Sequence, residues 1–217
     1  MWSWYADTLE ALQPIDTLVV NGDAIDGKGE RSGGTEQYEM DRHVQAMLAA
    51  RCIREARAAK VFIIRGTPYH TGRDEDFEDT VAAEVGAAHI GFHDWVDCEG
   101  VVFDFKHKVS ISVVPYGRHT GPARSAVWNA LWAERKLQPR AQVVVRSHAH
   151  YFDFSGDART LIIVTPGLQG FGSKYGAAQC EGLVDIGMIN FDCEGGRYAW
   201  KPRLMNLEWA AARPLIA

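Results

Sequence analysis

The sequence is short of the features that mark several common protein classes. Its 217 residues include only four cysteines. Cys52, Cys98, Cys180 and Cys193 stand singly, and none forms a C-x-x-C pair, which argues against a thiolate zinc knuckle and against a disulfide-stapled scaffold. No stretch approaches the roughly 20 continuous apolar residues of a membrane span. The first seven residues, Met1-Trp2-Ser3-Trp4-Tyr5-Ala6-Asp7, lack the basic-then-apolar order of a secretory signal, so a cytoplasmic location with reduced thiols is expected. Basic charge is also in deficit: 23 Lys and Arg against 28 Asp and Glu leave a net charge of -5. An acidic chain is poorly suited to sequence-independent duplex binding, although overall charge does not decide whether a local basic groove exists. There is no internal repeat, no low-complexity tract and no linker, so one domain spanning residues 1–217 is expected.

Apolar residues make up 47% of the chain, enough to build a core without covalent staples. The 21 glycines point to frequent tight turns. The spacing of Trp2, Tyr5, Leu9 and Leu12 predicts a helix that ends before Pro14. Ile15–Val20 and Val61–Ile64 read as buried strands. A long helix is expected between them, from Thr35 to about Ala59, and another from Asp74 to Val85. From His89 to Pro115 short alternating runs, VVFDF and VSISVV, read as strands with one polar face. An amphipathic helix is expected over Ala123–Lys136. Strands follow at Val143–Val145, Tyr151–Phe154, Thr160–Thr165, Val184–Phe191 and Arg197–Lys201. Strand–helix alternation in the first half favours a parallel sheet covered by helices, and the later strands suggest a second sheet packed on the first.

Polar residues gather where these strands end. Gly22-Asp23 follows the first, Gly66-Thr67-Pro68-Tyr69-His70 the second, Lys106-His107 follows VVFDF, and Ser147-His148-Ala149-His150 follows Val143–Val145. In open α/β sheets the ligand crevice lies beyond the carboxyl ends of the strands, so one Asp and four His delivered there point to one site. Imidazole and carboxylate together suit zinc, iron, nickel or manganese, and a carboxylate can bridge two ions. Each residue alone has a plainer reading. A His in a loop is commonly a surface group, and an Asp before a Gly-rich loop is commonly a turn residue, which is how Asp26 reads. His70 reads either as an acid–base group or as a loop residue bonded to backbone. Arg65, Arg118 and Lys174 are expected on the cleft side, where each could hold an anionic oxygen.

Taken in order, Gly22-Asp23-x-x-Asp26, the Gly66 loop with His70, then His107, then Ser147-His148-x-His150 resemble the calcineurin-like metallophosphoesterases over essentially the whole chain. NGDAIDGKGERSGGTE and LQGFGSKYG are most similar to the phage and prophage branch of that family. The resemblance implies an α/β fold of four layers, α/β/β/α, and a dinuclear centre of two divalent metal ions. Carried across, Asp23 would bridge both ions, His107 and His148 would bind one and His150 the other. His70 would take the place of the catalytic histidine beside the leaving group. The implied reaction is phosphomonoester or phosphodiester hydrolysis by a metal-activated water, with nucleotides or nucleic acid within the substrate range.

Two departures bear on that expectation. Thr67 stands where the family's third motif has an Asn ligand, which leaves Thr67 as a weaker, substrate-side group. No strand ending in Asp-x-His precedes Gly22-Asp23, so the first strand reads as missing and the second ion as weakly bound. The sheet edge so exposed would be covered by a rearranged terminus or by a second chain, as in a homodimer. The rival expectation is a non-catalytic remnant acting as a scaffold or metal-binding module.

Overall fold

The computed structural model describes residues 1–30, 33–35, 37–72, 75–110, 112, 114–170 and 184–206. A helix α1 (Trp2–Ala11) leads into strand β1 (Thr17–Asn21), then helix α2 (Arg42–Glu55), strand β2 (Lys60–Ile64), a one-turn helix α3 (Pro68–Thr71) and helix α4 (Phe77–Val85). Three strands follow, β3 (His89–Gly91), β4 (His93–Cys98) and β5 (Val101–Lys106), then helix α5 (Thr120–Glu134). The chain continues through β6 (Val143–Arg146), β7 (Asp153–Gly156), β8 (Leu161–Val164), β9 (Gly187–Glu194) and β10 (Arg197–Leu204).

The strands form two principal sheets. One is wholly parallel, in the order β1-β2-β3; the other is mixed, in the order β4-β5-β6-β8-β7; β9 and β10 form a separate antiparallel pair. Side-chain alternation assigns the layers. On β2, Ile63 turns toward α2 and α4, where it meets Ala46, Ala50, Ile53 and Val81, while Phe62 and Ile64 turn the other way. On β6, Val143 and Val145 join Ile64, Phe103 and Phe105 between the sheets, while Val144 faces α5. The result is four layers, α/β/β/α, with a central core formed by both sheets and by Phe191 and Tyr198 of the β9–β10 pair. Strand β1 lies at one edge of its sheet, with β2 its strand neighbour among the described residues. No helix among them is long and apolar enough to cross a membrane.

Two expectations need correction. The helix expected from Thr35 begins at Arg42, because Asp41 caps it, accepting from the amides of His43 at 2.8 Å and Val44 at 3.4 Å. The residues just before it stay irregular, and the buried Gln45 amide binds the carbonyls of Gly27 and Glu39 to hold them. The run VSISVV forms no strand in its described residues, since β4 and β6 already occupy both edges of β5. The second strand of that region is instead β4, which precedes β5 as its antiparallel partner.

Candidate metal centre

Strands β1 and β2 run parallel, as do β5 and β6, and the carboxyl ends of all four meet where Asp23, Thr67, His107 and His148 come together. Gly22 and Asp23 follow β1, Arg65 to Thr67 follow β2, His107 follows β5, and Ser147 and His148 follow β6. The Ser147 amide donates to the His107 carbonyl at 2.9 Å, tying two of these ends together. Ligand atoms of Asp23, His107 and His148 all lie within 4.8 Å of one another, the one such group of His, Cys, Asp and Glu among the described residues.

The carboxylate of Asp23 is divided between two tasks. Its Oδ1 accepts from the Thr67 amide at 2.6 Å and the Thr67 hydroxyl at 3.1 Å. Its Oδ2 faces inward, 2.8 Å from His107 Nε2 and 3.8 Å from both His148 Nδ1 and His70 Nε2. Although 2.8 Å apart, Asp23 Oδ2 and His107 Nε2 are both buried without a hydrogen bond. Buried polar atoms left so are rare and costly, and a cation between them satisfies both. His107 is oriented for this: its Nδ1 donates to the Asn21 carbonyl at 2.6 Å, which leaves Nε2 as the ligand atom. The donor set and the unpaired pair of atoms therefore fit a divalent ion.

The backbone is bent to the same end. Asp23, His148 and His150 have φ of +53°, +70° and +56°, a region uncommon for residues with a side chain and concentrated at functional sites. Gly22, at φ +83°, carries no side chain because a Cβ there would lie 2.3 Å from His107 Nδ1. Gly66 is constrained likewise, by Asp23 Oδ1 at 2.1 Å.

Electrostatics follow from this crowding. Burial alone would raise the Asp23 carboxyl, but the approach of His107 and His148 and the charge of His70 outweigh it and hold Asp23 far below the usual carboxylate range. Burial works against a proton on His107, yet the Asp23 carboxylate raises its pKa above the ordinary value. His150 is shifted down, chiefly by burial, which keeps its imidazole neutral and available as a ligand.

The remaining sequence-predicted residues are placed as follows. His70 Nδ1 donates to the Asp26 carbonyl at 2.9 Å, as the backbone-bonded reading expects, and its Nε2 is the atom turned toward Asp23. His150 lies outside the three-residue group, beside Gly167, with its carbonyl accepting from the Asp185 amide at 2.9 Å. The Arg65 guanidinium is engaged by Asp76 and Asp79 of the α4 N-terminal turn. Arg118 lies over the Tyr151 ring, 4.4 Å from its centroid. Lys174 and most of LQGFGSKYG fall outside the described residues. Sequence reasoning missed Asn21, whose carbonyl orients His107, and Glu78, whose carboxylate binds two site loops.

Comparison with known proteins places this architecture. An archaeal phosphodiesterase aligns with a TM-score of 0.50 at 12% sequence identity, over 93% of this chain and 93% of that one. The chain has the metallophosphoesterase fold. A single-mutant form of Vps29 from Entamoeba histolytica aligns with a TM-score of 0.49 and 11% identity, covering 94% of this chain and 89% of its own. Wild-type Vps29 from the same organism, solved in complex with zinc, gives 0.39 and 7%, over 68% of this chain and 82% of that one. The sequence matches no family model and no curated protein. Within a metallophosphoesterase fold, the Asp23–His107–His148 group occupies the carboxyl end of the paired sheets, the place where a ligand crevice forms.

Proposed function

We propose that this chain is a metal-dependent phosphoester hydrolase, acting on a phosphomonoester or phosphodiester through two divalent ions. The observation that carries this reading is the buried, hydrogen-bond-free pair Asp23 Oδ2 and His107 Nε2 with His148 beside it. Asp23, His107 and His148 would hold an ion, with Asp23 and His150 available to a second; manganese, iron, zinc and nickel all suit such donors. When bound, the ions supply Lewis acidity that lowers the pKa of water and neutralises phosphoryl charge. Thr67 fixes the carboxylate by binding Oδ1, which frees Oδ2 for the centre. His70, oriented by its Nδ1 bond to the Asp26 carbonyl, would present Nε2 to the departing oxygen as the proton donor.

A cleft of about 450 Å³, lined by Lys28, Arg42, Tyr69, His70 and Glu75, opens on the His70 side. Its size lies within the range of small-molecule sites, and Tyr69 offers an aromatic face beside His70 for the organic arm of a phosphodiester such as a nucleotide. A second reading, a metal-binding module without turnover, is favoured by one observation: the Thr67 hydroxyl is spent on Asp23 rather than left for an ion.

Hydrolysis of bis(p-nitrophenyl) phosphate and p-nitrophenyl phosphate with manganese separates the two. The proposal predicts chelator-sensitive turnover that His148→Ala abolishes and that His70→Ala lowers by about 10²–10⁴-fold in kcat. Full activity in His148→Ala would overturn it. Tight manganese binding with no turnover on either ester would leave the module reading in its place.

A further inference from the structure

The first turn of α4 carries a carboxylate that the mechanism above does not use. Glu78 is fully buried, at 0% exposure. Among the described residues no cation pairs with it. Its Oε1 accepts from the Ala24 amide at 3.0 Å, and its Oε2 accepts from the Gly66 amide at 2.7 Å. Those amides belong to different loops. Ala24 directly follows Asp23 at the end of β1, and Gly66 directly precedes Thr67 at the end of β2. The same loops meet on their other side, where Thr67 binds Asp23 Oδ1. One carboxylate therefore spans the two segments that fix the carboxylate of the metal centre.

A buried carboxylate without a counter-ion is expensive, and an apolar side chain of similar volume would suit the helix–sheet core better. Burial pushes the Glu78 carboxyl up to about 7, the two amide hydrogen bonds oppose that shift by favouring the charged form, and Glu78 spends both oxygens on the site loops. The rest of the helix start is braced for this role. Asp76 caps α4 by accepting from the Glu78 amide at 3.0 Å, and Asp76 and Asp79 both engage Arg65, the residue before Gly66. One turn further along the same buried face of α4, Val81 is anchored in the core between α2 and β2. Helix α4 thus presents a rigid bracket to both loops.

We infer that Glu78 is a positioning residue that sets the separation of the Asp23 and Thr67 loops, and through them the orientation of Asp23 Oδ2 toward the ion. This rests on the reading of Asp23 as a metal ligand. Glu78→Gln is the decisive variant, because it keeps the volume but turns an NH2 group toward one backbone amide, which loses its acceptor. Val81→Ala on the same helix serves as the control for simple loss of packing.

Two measurements test the inference on the full chain. Manganese affinity, read by competition with a chelating dye, should weaken in Glu78→Gln by roughly 10–100-fold, as for other residues that orient metal ligands. Val81→Ala, compared after thermal melts of both variants, should keep wild-type affinity even where it costs as much thermal stability. Amide exchange in the metal-free protein should quicken at both Ala24 and Gly66 in Glu78→Gln. Wild-type manganese affinity in Glu78→Gln would overturn the inference. So would an equal loss of affinity in Val81→Ala, or faster exchange at only one of the two amides. If the unaltered protein binds no manganese, the hydrolase reading fails, while the exchange experiment still decides whether Glu78 couples the loops.

Discussion

At the residue scale, the centre is built by giving each donor atom one role and removing its alternatives. His107 Nδ1 is taken by the Asn21 carbonyl, Asp23 Oδ1 by Thr67, and His70 Nδ1 by the Asp26 carbonyl. What remains, His107 Nε2 and Asp23 Oδ2, faces the same small space. Without an ion, a proton on His107 substitutes for it. The raised His107 pKa means this proton stabilises the metal-free fold fully below the unfolded value and that the contribution is lost as pH rises through the folded value. The lowered Asp23 pKa has the opposite sense: its contribution is present above the unfolded value and fails only in strong acid. An ion must displace the His107 proton while Asp23 stays ionised. Manganese affinity is therefore predicted to rise as pH rises through the ordinary histidine range and above it, with proton release on binding measurable by calorimetry in buffers of different ionisation enthalpy. Affinity that is flat across that range would show that His107 is not a ligand.

At the scale of the element, strand ends and the turns after them decide where these atoms go. Gly22 sits at φ +83° against the His107 ring, so Gly22→Ala should both strain the backbone and push the imidazole aside. The expected cost is roughly 1–3 kcal/mol of stability by thermal or urea unfolding, together with loss of tight manganese binding. A variant that kept both would mean the Gly22–His107 approach is dispensable. Most of this level was legible in the sequence. The apolar runs at β1, β2, β5 and β6 stop abruptly at Asp, Gly and His, and those stops mark the site. What was not legible depends on pairing. VSISVV alternates as well as any strand, yet β5 has no edge left to offer it. Glu78 reads as an ordinary acidic residue in a helix start, and only the folded chain shows its oxygens reaching Ala24 and Gly66. The positive φ of His148 and His150 likewise has no sequence signature, because neither is a glycine.

At the scale of the whole molecule, the proposed centre joins the two sheets. Asp23 comes from the β1-β2-β3 sheet, and His107 and His148 come from the β4-β5-β6-β8-β7 sheet. The four-layer order was expected from the family resemblance; that β2 and β6 divide their apolar side chains between two different cores is visible only in the folded chain. How closely the sheets bring Asp23 to His107 was not legible, since that distance depends on packing between residues far apart in sequence. An ion held across both sheets binds only the assembled fold and must stabilise it as a whole. The most direct test is elemental analysis of manganese per chain after saturation and removal of loose ions, for the unaltered protein and for Asp23→Asn. The account predicts tightly held manganese, up to two ions per chain, in the first and none in the second. No retained metal in the unaltered protein, or equal metal in Asp23→Asn, would contradict it.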